Sequence, residues 1–145
     1  EIVSMEETKK HQYYPVNFNN LNIYMRTTKT DEISKESLES FFGDNPHRFS
    51  LGSFSANFPV LEELTLNDMN TIETLDLSSC KKLTKLNLSK TTVKRVILPS
   101  KVKELVLPET LETFELYNPV ESITFEGLNN IQSVDLENVG NLNVN

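Results

Sequence analysis

One short pattern, apolar-x-x-apolar-x-apolar, recurs nine times in succession from Val60 to the C-terminus. The third apolar residues of successive units are 11, 11, 10, 9, 9, 9, 11 and 8 residues apart, a spacing that no helical bundle produces. In each unit three or four residues alternate between apolar and polar, which predicts a short strand followed by a turn. The units are Leu61-Leu64-Leu66, Ile72-Leu75-Leu77, Leu83-Leu86-Leu88, Val93-Val96-Leu98, Val102-Leu105-Leu107, Leu111-Phe114-Leu116, Val120-Ile123-Phe125, Ile131-Val134-Leu136 and Val139-Leu142-Val144.

A unit of about ten residues is too small to enclose a core by itself. Two consecutive units, 18 to 22 residues together, make one coil with a strand on each side. Each coil then stacks on the next at the usual spacing of about 4.8 Å between strands. The sequence therefore predicts a solenoid of about four and a half coils, in which position along the chain becomes position along the solenoid axis.

The stretches LEELTL, IETLDLSSCKKLTKLNLS and VKELVLPETLETFEL resemble the alternating half-repeats of leucine-rich-repeat proteins, specifically the short bacterial internalin-like and BspA-like type. The resemblance covers residues 60–145. The asparagine ladder is irregular, because Asn67 and Ser89 correspond to Pro99 and Pro108 in other units. The resemblance implies a leucine-rich-repeat solenoid of short strands and turns, in coils of about 20 residues, that acts as a binding or structural module. It implies a bacterial cell-surface or extracellular protein, or part of a bacteriophage virion.

Residues 1–59 contain no repeat and are predicted to form a small α+β N-terminal cap, whereas residues 60–145 form the solenoid. The alternation from Val16 to Met25 predicts a strand with a bulge or turn at Asn19-Asn20. Acidic Asp31 and Glu32 then predict the start of a short amphipathic helix. Its apolar residues are Ile33, Leu38, Phe41 and Phe42, and Gly43 with Asn45-Pro46 ends it. Such a cap would cover the apolar interior and the open strand edge of the first coil.

Composition excludes several classes of protein. The chain has 14 Lys and Arg against 21 Asp and Glu, and the net charge of −7 argues against a general nucleic-acid partner. No apolar stretch approaches the roughly 18 residues that a membrane-spanning helix needs, so no membrane insertion is expected. A single cysteine, Cys80, forms no internal disulfide, and the fold must rest on a packed core.

The chain also lacks the residue patterns of catalysis and cofactor binding. Its only histidines, His11 and His47, are expected to be surface or packing residues, and no motif places a nucleophile beside either. Three His or Cys residues scattered along the chain do not make a metal site, and the four glycines are isolated. We expect no enzyme, cofactor or metal. Cys80 is interpreted as a semi-buried turn residue, with a reactive thiol beside Lys81 and Lys82 as the alternative.

Charges are segregated along the repeat region. Residues 60–80 hold five acids and no base, residues 81–103 eight bases and no acid, and residues 104–145 eight acids and no base. If alternate units stack in register, Glu63, Lys85 and Glu104 form one column of opposite charges. Glu73, Lys94 and Glu112 form another. The surplus bases are a candidate basic patch for an acidic partner, sulfate or phosphate, and comprise Lys81, Lys82, Lys90, Arg95 and Lys101.

A candidate binding face follows from the outward position between the last two apolar residues of each unit. On one side of the solenoid these residues are Thr65, Asn87, Val106, Thr124 and Asn143. On the other side they are Asp76, Ile97, Glu115 and Asp135. The polar, uncharged residues of the first set suit contact with a protein or a glycan, although ordinary strand-surface composition is the favoured explanation.

Leu142 and Val144 form a candidate assembly edge, because the last unit begins and the sequence stops at once. We expect the natural polypeptide to continue past Asn145, or another subunit to cover this end. Two functions remain open from the sequence. The first is a non-enzymatic recognition module that binds a protein or glycan at a bacterial or phage surface. The second is an architectural subunit of a larger assembly such as a virion, whose partners are neighbouring subunits.

Overall fold

The computed structural model of the chain describes residues 2–3, 13–34, 36, 52–69, 72–115, 119–132 and 139–145. Within them the fold is built mainly from strands. Their bounds are β1 Ile2–Val3, β2 Tyr14–Phe18, β3 Leu21–Met25, β4 Thr30–Ser34, β5 Gly52–Ala56, β6 Glu63–Met69, β7 Ile72–Asp76, β8 Lys85–Thr91, β9 Arg95–Ile97, β10 Glu104–Leu107, β11 Thr113–Glu115, β12 Val120–Phe125 and β13 Val139–Val144.

From β4 to β12 the strands alternate between two sheets. Sheet A has seven strands in the order β1-β3-β2-β5-β7-β9-β11, and sheet B has six in the order β13-β12-β10-β8-β6-β4. All pairings between coils are parallel, so each coil adds one strand to each sheet. This arrangement confirms the predicted solenoid, with about four turns.

The coils have the lengths that the repeat predicts. In sheet B, residues 63, 85, 104, 122 and 141 hold the same position in successive coils, so the steps are 22, 19, 18 and 19 residues. The inward residues lie in register as well. Leu64, Leu86, Leu105 and Ile123 form one buried column between the sheets. Aliphatic side chains of similar size can occupy the same place in every coil, so the stacked coils share one continuous core.

Threonine hydroxyls join neighbouring coils at the edges of the sheets. Thr84 Oγ1 donates to the Glu62 carbonyl at 3.1 Å, and Thr110 Oγ1 donates to the Val93 carbonyl at 2.8 Å. Backbone hydrogen bonds also join neighbouring coils beyond the strand ends, such as the one that Thr84 N donates to Glu62 O at 2.8 Å. These bonds satisfy carbonyls that the short strands leave unpaired.

The segment from Val16 to Met25 is a hairpin rather than one strand with a bulge. β2 and β3 pair antiparallel across Asn19-Asn20, both of which have positive φ, 49° and 65°. Two central residues with positive φ match the right-handed twist of the flanking strands, and Asn adopts this conformation readily. β2 also pairs antiparallel with β5. The Phe18 and Phe54 rings on these strands meet edge-on, with their centroids 6.5 Å apart.

The predicted helix start at Asp31 is wrong. Asp31, Glu32 and Ile33 belong to β4, which pairs in parallel with β6 and buries Ile33 opposite Leu66. Pairing with β6 outweighs the weak helical preference of a few residues. The remainder of that prediction, Leu38 to Pro46, lies outside the described residues. Because β4 and β5 already pair in parallel with β6 and β7, the stacked ladders also extend to the N-terminal side of residue 60.

Candidate recognition surface

The five residues of the candidate binding face form one row across the outer face of sheet B. Thr65 pairs with Asn87, Asn87 with Val106, Val106 with Thr124, and Thr124 with Asn143. The first four are half-buried and Asn143 is exposed. The alternation of the repeat places them outward, because the first four each lie between two buried residues of their strand and Asn143 holds the same register position on β13.

Sequence reasoning missed Glu32, which pairs with Thr65 and extends this row by one strand. Glu32 Oε1 accepts a hydrogen bond from Asn67 Nδ2 at 2.9 Å, which ties β4 to β6 on the outer face. The repeat pattern carried no signal for Glu32, since residues 30–34 do not match it. Its place depends on the pairing of β4 with β6.

A second outward row borders the first and carries charge. It comprises Thr30, Glu63, Lys85 and Glu104 and is called here the Lys85 rung. Lys85 Nζ lies 3.3 Å from Glu63 Oε1 and 3.6 Å from Glu104 Oε2. Thr30 Oγ1 donates to Glu63 Oε2 at 3.0 Å. The predicted column of Glu63, Lys85 and Glu104 is therefore present, and Thr30 extends it.

These contacts shift two pKa values in opposite directions. The hydrogen bond from Thr30, followed by the contact with Lys85, lowers the pKa of Glu63. The hydrogen bond to Glu63, followed by the charge of Glu104, raises the pKa of Lys85. Both shifts favour the charged forms, so Glu63 and Lys85 are ionised at neutral pH.

A groove of about 290 Å³ lies between the two rows. Its walls combine both signs of charge from the Lys85 rung with hydroxyl, amide and methyl groups from Thr65, Asn87 and Val106. A surface of this kind can bind a ligand by hydrogen bonds and ion pairs around a small apolar contact.

The other charged columns are only partly ion-paired. Lys94 Nζ lies 3.7 Å from Glu73 Oε1 on the sheet A side, and Glu112 continues that column through a backbone bond from its N to Lys94 O at 2.7 Å. Lys103 Nζ lies 3.8 Å from Glu121 Oε1. The paired side chains are 42–68% exposed, and pairs of this kind contribute about 0–1 kcal/mol each.

Turn chemistry explains part of the composition of the outward row. Asn87 Oδ1 accepts hydrogen bonds from Ser89 N at 3.0 Å and Ser89 Oγ at 2.8 Å. Asp76 Oδ1 accepts the same two bonds from Ser78, at 3.0 and 2.6 Å. Where proline follows two residues later it has no N–H to donate, and the outward residue is apolar, as at Val106. Asn87 therefore also has a structural role in this turn.

The other set of residues predicted to point outward lies on sheet A. Asp76 pairs with Ile97, and Ile97 with Glu115, whereas Asp135 lies outside the described residues. Ser55 and Asn17 continue this row towards the hairpin. The candidate binding face on sheet B and this row on sheet A thus face away from each other.

The five residues of the candidate basic patch do not come together. Lys81, Lys82 and Lys101 lie where the chain passes from sheet A to sheet B, and Lys82 and Lys101 hold the same position in consecutive coils. Lys90 and Arg95 lie on the opposite edge, where the chain passes from sheet B to sheet A. Lys81 Nζ donates to Ser78 O at 3.0 Å. The basic band therefore surrounds the solenoid instead of forming one patch.

The candidate assembly edge lies on β13, whose partner in sheet B is β12. Leu142 pairs with Ile123 and Val144 with Phe125, so both continue inward columns of the core. Leu142 is 45% exposed and Val144 is 52% exposed, whereas Ile123 and Phe125 are buried. Apolar side chains that are internal elsewhere are thus open to solvent on this strand.

Cys80 is fully buried, deeper than the semi-buried position predicted for it. Its thiol donates to the Ala56 carbonyl at 3.5 Å, and burial raises its pKa despite the nearby Lys81. A raised thiol pKa opposes nucleophilic reactivity. His11 and His47 lie outside the described residues. In the part of the chain that the structure describes, no three His, Cys, Asp or Glu side chains are grouped to hold a metal ion.

Comparison with known proteins identifies no relative. No protein-family model, curated protein or solved structure matches the chain. Among the described residues, no helix has the length and apolar character needed to cross a membrane.

Proposed function

We propose that the chain is a non-enzymatic recognition module of the leucine-rich-repeat type, and that the outer face of sheet B is its binding surface. One observation carries the proposal. Six outward residues, from Glu32 to Asn143, lie in register across all six strands of sheet B beside a groove lined by the Lys85 rung. Repeat proteins present extended surfaces of this kind to their ligands.

The favoured ligand is a protein segment, with a glycan as the alternative. The groove offers an ammonium group between two carboxylates and, within the same groove, the exposed part of Val106. Charges of both signs around an apolar contact complement a polypeptide better than a neutral sugar. Location at a bacterial or phage surface rests on the resemblance of the repeats alone.

We also assign the N-terminal hairpin the role of a cap. β2 pairs antiparallel with β5, so the hairpin occupies the end of sheet A that the parallel ladder would otherwise leave open. Val16 and Phe18 are buried against the first coil, where Phe18 meets Phe54. Terminal elements that differ from the repeat are required to protect the ends of solenoids.

The binding surface is tested with a matched pair of substitutions. Val106 and Ile97 are both half-buried outward residues followed by Leu-Pro, one on sheet B and the other on sheet A. The purified chain is screened against a displayed random-peptide library and a glycan array, and selected binders are measured by calorimetry. Val106→Glu should weaken binding at least about tenfold, whereas Ile97→Glu should leave it unchanged. Absence of any binder, or equal loss in both variants, would contradict the proposal.

A second candidate function, an architectural subunit, is favoured by the exposure of Leu142 and Val144. Apolar side chains on an end strand promote pairing with another chain. Light scattering after size exclusion, on protein isolated from its source, distinguishes the two functions. A monomer supports the recognition module. A large particle that Leu142→Glu or Val144→Glu dissociates supports the architectural role.

A further inference from the structure

A second groove, of about 280 Å³, lies on the outer face of sheet A between the hairpin and the first coils. One row of outward residues crosses its floor. Asn22 pairs with Asn17, Asn17 with Ser55, and Ser55 with Asp76. Asn57 and Ser79 complete the polar lining.

The groove exposes both donors and acceptors. Asn17 is held in place, because its Oδ1 accepts from Asn20 N at 3.2 Å and its Nδ2 donates to Asn22 Oδ1 at 3.4 Å. The hydrogen bond from Asn17 uses only Oδ1 of Asn22, so the amide nitrogen of Asn22 remains a donor. Asn57 and Ser79 are exposed, and their side chains form no hydrogen bond with the part of the chain that the structure describes.

Asp76 supplies the acceptor, and the fold does not need its charge. Asp76 Oδ1 accepts both bonds from Ser78, and Oδ2 has no partner among the described residues. At the equivalent place in the next unit, Asn87 forms the same turn with Ser89, using its single amide oxygen. An asparagine therefore suffices for the turn, and the second carboxylate oxygen of Asp76 is free to accept from a ligand.

We propose that this groove binds a neutral oligosaccharide that lies along the row of outward residues. Asn22 and Asp76 are three strand spacings apart, about 14 Å, so they contact different sugar units. A hydroxyl group of one unit donates to Asp76 Oδ2 and accepts from the amide of Asn57, and a hydroxyl group of another unit accepts from the amide of Asn22. Tyr24 pairs with Pro15 on the same outer face, where its ring offers an apolar surface beside the groove.

Other ligand classes fit less well. An anion would meet the carboxylate of Asp76, which is the only ionisable group of the lining. Protein metal sites usually combine several carboxylate, imidazole or thiolate ligands, whereas Asp76 is the single such residue of the lining. An apolar side chain would find little besides Pro15, Val16 and Ala56. Hydroxyl groups, which both donate and accept, match the mixed lining.

This site is separate from the proposed binding surface. The sugar groove lies on sheet A, whereas the recognition surface lies on sheet B, so either assignment can fail without the other. A sugar that binds at Thr65 and Thr124 instead would occupy the sheet B face and would contradict the present proposal.

Titration of the ¹⁵N-labelled chain tests the proposal. The probes are glucose, galactose, mannose, N-acetylglucosamine and their short oligosaccharides, all in the presence of EDTA. At least one probe should produce saturable shifts of the side-chain amides of Asn22 and Asn57. Asp76→Asn keeps the turn but removes the acceptor, and should weaken binding about tenfold or more.

Asp68→Asn is the matched control. It makes the same chemical change at an exposed residue outside the groove, where φ is 55° and asparagine is equally accepted. It should leave sugar binding unchanged. The proposal is overturned if no probe gives saturable shifts at the groove, or if Asp76→Asn binds as tightly as the parent chain.

Discussion

Lys85 connects three coils through a single side chain. Its Nζ lies 3.3 Å from Glu63 Oε1 in the preceding coil and 3.6 Å from Glu104 Oε2 in the following one. The side chains are about half exposed, with Lys85 at 52%, so solvent screens both contacts. The rung therefore contributes more to the register between coils than to the free energy of unfolding.

Removing this charge should have a small effect that depends on salt. Lys85→Gln is expected to lower the free energy of unfolding slightly at low ionic strength, and the difference from the parent chain should shrink in 1 M salt because the ion pairs are screened. Urea unfolding at both salt concentrations measures the difference. Lys82→Gln, at an exposed lysine, is the control and should show no such convergence. A salt-independent loss in Lys85→Gln would point to packing instead of charge.

The lowered pKa of Glu63 predicts how acid affects the rung. A carboxylate with a lowered folded-state pKa stabilises the fold above its ordinary value of 4.5, and this contribution is lost as the pH falls through the folded-state pKa. Glu63→Gln keeps an acceptor for Thr30 but cannot ionise. The parent chain should be the more stable of the two at pH 6, and the difference should shrink as the pH is lowered towards 3. A difference that is constant between these pH values would contradict the ionic interpretation.

Truncation of the buried leucine column should be severe in the middle of the solenoid and mild at β13. Leu86 and Leu142 hold the same inward position, but Leu86 is 2% exposed and Leu142 is 45% exposed. Leu86→Ala should cost about 2–5 kcal/mol because it leaves a cavity. Leu142→Ala should cost about 1 kcal/mol or less, since much of that side chain is already in solvent. Chemical denaturation of both variants gives the comparison, and equal losses would show that β13 is packed as tightly as β8.

Cys80 should react with thiol reagents only after unfolding. The thiol is buried and its pKa is raised, so both access and the thiolate fraction are low in the native protein. Reaction with Ellman's reagent at pH 8 should be at least about 100-fold slower in buffer than in denaturing urea. A fast native reaction would indicate that the turn at Ser78-Ser79 opens readily and would revive the reactive-thiol interpretation.

Two segments before residue 60 have a local sequence pattern that is compatible with more than one structure. The turn residues Asn19 and Asn20 were identifiable as a bulge or a turn, because either feature interrupts the alternation. Only the pairing of β2 with β3 and β5 selects the turn. Likewise Asp31 and Glu32 match the local pattern of a helix start, but parallel pairing with β6 places them in a strand.

The sequence by itself determined the solenoid, its coil length, its buried columns and the order of charges along its axis. Each of these follows from a local period: an apolar residue at every second position of a short strand, repeated at nearly constant spacing. The alignment of Glu63, Lys85 and Glu104 follows too, because each lies immediately before an inward leucine.

The tertiary structure alone decided which surfaces these residues form together. It divided Lys81 and Lys101 from Lys90 and Arg95, added Glu32 to the sheet B row, and placed Asn17 and Asn22 in one groove with Asp76. The physical reason is that neighbouring strands are chosen by backbone hydrogen bonds between segments distant in sequence, and a local pattern does not encode that choice.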